Sequence, residues 1–239
     1  FRGEQMLYHS ERIYGIDISK YQHVHKRRVY GIDWRNLRIT RLGHTADRNA
    51  LGAVDYPVSF VYIKSTEGLT VFNPYYTQDV RAARRYGFPV GAYHFFSTRP
   101  AMSQADYFLK KSRLRKGDLP PMLDVELSDR RIAAMGGRDV LFREMLVWLK
   151  EVGRRSGTTP IIYVSQDFVN RYMPFAPEEL KAYPVWVARY GEYKPYVHLL
   201  YWQLSPDGRV RGIQGDVDID VFNGSEEQFK RYLRAQTVK

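Results

Sequence analysis

The chain has 239 residues, of which 44% are hydrophobic and 26% charged, and it has no cysteine. That composition fits one large globular domain or two small ones; it excludes a disordered chain, a collagen, a disulfide scaffold, thiolate metal sites and a cysteine nucleophile. With 37 Lys and Arg against 26 Asp and Glu the net charge is +11, a balance that favours anionic partners.

The elements follow in chain order. The chain begins at Phe1 rather than Met, so any targeting segment is expected to lie before it; residues 1–12 read as an N-terminal extension and 13–239 as one domain. Ile13 to Ile18 forms a short apolar strand, and a basic, polar excursion runs from His23 to Asp55. Val58 to Lys64 is a strand rich in β-branched and aromatic residues. Asn73 and Pro74 should start a helix that stops at Gly87. Pro89 to Phe96 is a strand, followed by a helix carrying Ala105, Phe108 and Leu109. Pro121 to Glu126 is the next strand. Asp139 should cap a helix whose Leu141, Met145, Trp148, Leu149 and Val152 recur at helical spacing, with Gly153 as its stop. Pro160 to Val164, Pro184 to Ala188, Leu199 to Leu204 and Asp216 to Val221 are strands, and Ser225 should cap a last helix. No apolar run approaches the roughly 18 residues of a membrane span.

Alternation of strand and helix predicts an α/β fold with a parallel sheet, open or closed. Helices thin out late in the chain, so a closed sheet should be an irregular barrel. In parallel α/β folds the carboxyl ends of the strands form the active face. Polar and aromatic residues gather at those ends: Asp17, Lys64 with Glu67, Tyr93, His94 and Phe95, Asp124 and Glu126, Tyr163, Trp186 with Tyr190, Trp202 and Gln203, and Asp218. The aromatics among them suit either a core or stacking walls for sugar rings.

The sharpest feature is Asp124-Val-Glu126. At i and i+2 of a strand the two carboxyls share a side, and mutual repulsion should leave one of them protonated at neutral pH, as a general acid requires. Such a pair suits glycoside hydrolysis; the plainer reading is two carboxylates satisfied by nearby cations. Asp17, an acid in an apolar strand, calls for a partner such as Lys64 or a function. Alternation places Asp216, Asp218 and Asp220 on one face, but metal-binding acids usually gather in a loop with glycine and not along a strand, so no metal or other cofactor is expected. No phosphate-binding glycine loop, serine elbow or nucleic-acid recognition motif is present, and no nucleic-acid partner is expected.

Nine blocks then occur in order: Tyr-Gly-Ile-Asp-Ile-Ser-Lys-Tyr-Gln (14–22), Ile-Asp-Trp (32–34), Phe-Val-Tyr-Ile-Lys-Ser-Thr-Glu-Gly (60–68), Val-Gly-Ala-Tyr-His-Phe (90–95), Leu-Asp-Val-Glu (123–126), Ile-Ile-Tyr-Val-Ser (161–165), Trp-Val-Ala-Arg-Tyr (186–190), Tyr-Trp-Gln (201–203) and Val-Asp-Ile-Asp-Val-Phe-Asn-Gly (217–224). In this the chain resembles the glycoside hydrolase family 25 lysozymes, the Chalaropsis-type N-acetylmuramidases. The resemblance implies a single-domain, irregular TIM-like (β/α)5β3 barrel that cleaves the β-1,4 bond between N-acetylmuramic acid and N-acetylglucosamine in peptidoglycan. It puts the general acid on Glu126, its partner on Asp124 and two further site acids on Asp17 and Asp218. Lys64, Glu67, Tyr93, Phe95, Tyr163, Trp186, Tyr190 and Gln203 would line the groove. It also implies export to the envelope or beyond, where the positive charge should draw the protein to anionic wall polymers, an attraction that salt weakens. Two departures stand out: the segment 38–56 is long for the family, and Asp220 occupies a position where many members carry Asn. The alternative is a catalytically silent glycan-binding barrel.

Overall fold

The computed structural model describes residues 12–44, 52–188 and 198–239. Eight strands close a barrel in sequence order: β1 (Tyr14–Ile18), β2 (Val61–Glu67), β3 (Val90–Phe95), β4 (Met122–Asp124), β5 (Ile161–Ser165), β6 (Pro184–Ala188), β7 (His198–Arg211) and β8 (Val217–Phe222). From β1 to β7 each neighbouring pair is parallel, while β8 runs antiparallel to both β7 and β1 and closes the ring. Helices α1 (Tyr76–Arg85), α2 (Ala101–Ser112), α3 (Asp129–Ala134), α4 (Arg138–Ser156), α5 (Gln166–Arg171) and α6 (Glu178–Lys181) lie between β2 and β6, and α7 (Glu226–Ala235) follows β8. The late loss of helices read from the sequence is therefore real: β6, β7 and β8 follow one another with no helix between them among the described residues.

The first crossover is also irregular. Among the described residues it carries two short 3-10 turns, a tight hairpin at Val24–Val29 and a ribbon in which Arg38–Arg41 pairs with Ala53–Pro57. That ribbon adds onto the outer half of the long β7, so the sheet continues off the barrel.

Alternation along the strands divides the core in two. Outward side chains such as Ile16, Ile63, Ala92, Leu123, Val164 and Val187 pack beneath the helices, together with Trp148, Leu149 and Val152 of α4. Inward ones fill the barrel with aromatic bulk, including Phe60, Tyr62, Trp186, Tyr201 and Phe222. Two inward positions had to be glycine to admit it: a Cβ on Gly15 would meet the Phe60 ring at 2.3 Å, and one on Gly91 the Tyr62 ring at 2.4 Å. His94 belongs to the outer core, hydrogen-bonded to Thr66 and Gln104 and stacked on Trp148; burial pushes its imidazole down to about 4.

Some expected boundaries move. Helix α4 passes through Gly153 and ends at Gly157, whose φ of +69° is the left-handed stop. Gly153 is glycine because Pro160 approaches its missing Cβ at 3.2 Å. Asp139 lies in the first turn of α4, with Gly137 as the cap. The Asn73 side chain caps the turn before α1 by accepting from the Tyr75 N–H, which delays the helix to Tyr76. Ser225 caps α7 as expected, in a capping box with Gln228.

Candidate active site

The parallel strands end on one face of the barrel, and there the inward side chains turn from aromatic to acidic. Asp17 lies one residue from the end of β1, Asp124 ends β4, and Glu126 follows two residues later. Asp218 joins them from the start of β8 because that strand runs the opposite way, which sets Asp17 and Asp218 directly across from each other in the ladder. The four proposed acids thus share one mouth. Beside Glu126 a cleft of about 430 Å³ opens, lined also by Ser128, Asp129, Tyr163, Asp167, Tyr172 and Gln203.

Burial treats the Asp124–Glu126 pair unequally. Asp124 is 6% exposed, whereas Glu126 stands open to solvent. Burial first, then the charge of Glu126 and a hydrogen bond to it, push the Asp124 carboxyl well above the ordinary carboxylate range; Lys64 opposes this weakly. The surroundings thus favour the protonated form of the buried partner. Asp124 Oδ1 meets no hydrogen-bond donor.

The other candidates fall into three groups. Tyr93 and Tyr163 reach the mouth, both barely exposed and both held as neutral phenols by burial and by the surrounding carboxylates. The Tyr163 hydroxyl donates to Gln203 Oε1 at 3.4 Å, and Gln203 Nε2 donates to Asp17 Oδ2 at 3.4 Å. Lys64, Glu67 and Phe95 form a second group: the ammonium bonds Glu67 at 2.6 Å and lies 4.8 Å from the centre of the Phe95 ring. Lys64 is thus not the Asp17 counter-ion suggested by the sequence, because the closer Glu67 takes it. Trp186 stands apart. With 0% exposure it packs edge-on against Tyr62 below the acids, so it props the mouth from beneath instead of walling the groove. Tyr190 lies outside the described residues.

The sequence reading missed two features. Asp129 accepts from the Tyr172 hydroxyl at 2.6 Å and from Arg171 at 2.7 Å, and Arg171 also holds Asp167, which makes a charged rim across the cleft from Glu126. Only the cap signal of Ser128 before Asp129 hinted at this turn. The other is Asp220: it is fully buried, takes the Trp186 indole N–H on Oδ1 at 3.2 Å, and points toward Asp17 and not outward with Asp216. Asp216 instead pairs with Arg209 at the surface. No group of three or more His, Cys, Asp or Glu side chains among the described residues is arranged to hold a metal ion.

The sequence profile of glycosyl hydrolases family 25 matches residues 16–213, a span that includes Asp17, Asp124 and Glu126 but stops short of Asp218 and Asp220. The chain belongs to glycosyl hydrolases family 25. It is a glycoside hydrolase, and relatives across that family agree in sequence and shape. A protein of Escherichia coli K12 called YegX, itself uncharacterized, is 33% identical over 225 residues, covering 92% of this chain and 73% of its own. Lysozyme M1 of Streptomyces globisporus is 33% identical over 184 residues, which is 70% of this chain and 61% of that one. Among solved structures, the bacterial lysozyme of Streptomyces coelicolor superposes with a TM-score of 0.72 at 26% identity, covering 91% of this chain and 94% of its own. A family 25 glycosyl hydrolase of Bacillus anthracis shares the fold with a TM-score of 0.71, at 24% identity and with 93% and 94% of the two chains covered.

Proposed function

We propose that this family 25 hydrolase is a lysozyme that cuts the β-1,4 bond between N-acetylmuramic acid and N-acetylglucosamine in peptidoglycan. The observation that carries the reading is the unequal pair at the barrel mouth: Asp124 sealed and short of a donor, Glu126 open to the cleft. The lysozymes among its relatives support the substrate class.

The geometry suggests a route. A saccharide settling over Glu126 strips away its water, and the proton held by Asp124 passes to Glu126 through their shared hydrogen bond. Glu126 then protonates the glycosidic oxygen as the bond to the anomeric carbon breaks. Asp124, now anionic, orients the substrate's own 2-acetamido group, whose carbonyl oxygen closes on the anomeric carbon, and stabilises the positive charge that develops there. Water attacks next, and Glu126 takes its proton. Asp17 and Asp218 hold the sugar, with Gln203 and Tyr163 fixing Asp17. Such a protein acts at the cell envelope.

Mass spectrometry of digested peptidoglycan tests the reading. Fragments ending in reducing N-acetylmuramic acid are expected. Reducing N-acetylglucosamine would mean a glucosaminidase, and binding with no turnover a silent glycan-binding barrel. Proton NMR of fresh product should show the β-anomer first; initial α-anomer would sink the acetamido route.

A further inference from the structure

A second carboxyl pair joins the mouth to the barrel interior, and the proposed route uses only one member of it, Asp17. Asp220 is 0% exposed and Asp17 8% exposed, and their side chains are in hydrogen-bonding contact. Each accepts one side-chain N–H: Trp186 Nε1 gives to Asp220 Oδ1 at 3.2 Å, and Gln203 Nε2 gives to Asp17 Oδ2 at 3.4 Å. Asp220 Oδ2 receives neither an N–H nor a hydroxyl. Asp218, two residues before Asp220 on β8, is also in hydrogen-bonding contact with Asp17, and Tyr93 of β3, Asp124 of β4 and Tyr163 of β5 face the pair from other strands. None is a cation, and the Lys64 ammonium is turned onto Glu67. Two touching carboxylates, both dry and both uncompensated, would carry a large desolvation cost. A single proton between them removes one charge and supplies the missing donor to Asp220.

We propose that Asp17 and Asp220 hold one proton in common, so that Asp220 is a positioning residue: it fixes the Asp17 carboxyl and lets the pair meet the saccharide with one negative charge in place of two. The inference deepens the lysozyme reading, since Asp17 is one of the acids assigned there to hold the sugar. It also gives Asp220 a role that asparagine can imitate. In Asp220→Asn the side-chain amide would donate to an ionised Asp17 and leave the same single charge, but with no proton to lose.

Infrared difference spectroscopy of the free protein at pH 7 is the deciding test. Asp220→Asn should lose the carbonyl band of one neutral carboxylic acid relative to wild type. Asp17→Asn should lose the same band, which keeps the test available if the first variant does not fold. An unchanged band in a folded variant overturns the proposal. A kinetic measurement follows: kcat/KM of Asp220→Asn at pH 7 should stay within about threefold of wild type, while its alkaline fall moves to higher pH because the shared proton no longer titrates. A pH profile that superposes on wild type would also overturn it. The infrared result needs no substrate, so a failure of the lysozyme reading would show as absent turnover in every variant and leave the band test intact.

Discussion

Two sets of buried acids in this barrel are handled in opposite ways. Asp79 on α1 and Asp118 before β4 are almost fully buried and fully satisfied. Asp79 Oδ2 meets His23 Nε2 at 2.6 Å, and Asp118 takes two bonds from Arg84 and one from the Arg115 N–H. Asp124 and Asp220 are as deeply buried, yet among the described residues theirs are the two buried carboxyl oxygens that lack a donor. A scaffold acid is paired because an unpaired one costs stability. An acid left unpaired at a strand end marks a place where the fold gives up stability for chemistry.

The largest effect should come from the open member of the mouth. Glu126→Gln should lower kcat on peptidoglycan by about 100- to 10,000-fold, the range of general acid catalysis, and leave the melting temperature unchanged because Glu126 is exposed. Turbidity clearing and thermal melting check the two halves of the statement. A folded variant with near-native turnover would remove Glu126 from its role.

How much of this was visible beforehand depended on range. Asp124 and Glu126 could be paired from the sequence because the i, i+2 geometry of a strand is local. The meeting of Asp17 with Asp218 follows from barrel closure by a reversed last strand, a contact across some 200 residues that periodicity does not encode. The core helix α4 was legible from its apolar spacing, but its end was not, because Gly153 serves a tight approach to Pro160 and not a stop. Trp186 looked like a groove wall because its strand end reaches the mouth, yet its inward position belongs to the aromatic floor. Asp220 stood out in the sequence only as a departure from the family's Asn, since it is the folded ladder that brings it to Asp17 and the Trp186 indole.

The paired acids should fail in stability and not in turnover. His23 donates Nδ1–H to the Tyr30 carbonyl at 2.9 Å, so its Nε2 and Asp79 share the remaining proton. Burial lowers the imidazole, but the Asp79 bond and charge outweigh it and leave His23 raised, while burial lifts Asp79. Both shifts say that the folded pair keeps its proton. Asp79→Ala should therefore cost about 3 kcal/mol in urea denaturation, the scale for breaking a buried ion pair, with turnover per folded molecule unchanged. The pH sign follows from His23: the pair's contribution is complete below the ordinary histidine value of 6.5 and is lost as pH rises through the raised folded value. The gap between wild type and Asp79→Ala should accordingly narrow on the alkaline side; a gap that widens there would contradict the assignment.

Asp124→Asn should separate stability from activity more finely. The folded carboxyl titrates well above its ordinary 3.8, so its contribution is present at acid pH and is lost as pH rises toward the folded value. Asparagine loses nothing over that range. The variant should match wild type near pH 4 and gain about 1 kcal/mol by pH 7, the lower end of what an unsatisfied buried group costs, while turnover falls severely. A loss of stability at pH 7 would place Asp124 with the scaffold acids.

The smallest effect lies at the hairpin that the His23–Asp79 pair anchors. Lys26 and Arg27 sit at its tip with φ of +46° and +66°, where non-glycine residues are strained. This is the geometry that Asn-Gly occupies in tight hairpins. Replacing the two residues with Asn and Gly should stabilise the protein by roughly 0.5–1 kcal/mol, measured as a shift in the urea midpoint. The gain depends on the hairpin being held in the folded state. His23 precedes Val24–Val29, and its ring is clamped by Asp79 and stacked on Tyr75 at 4.2 Å. In an Asp79→Ala background the clamp is gone, the turn contributes little to global unfolding, and the same substitution should gain close to nothing. Equal gains in both backgrounds would show that the buried pair does not hold the hairpin, and that Asp79 is satisfied without anchoring this part of the rim.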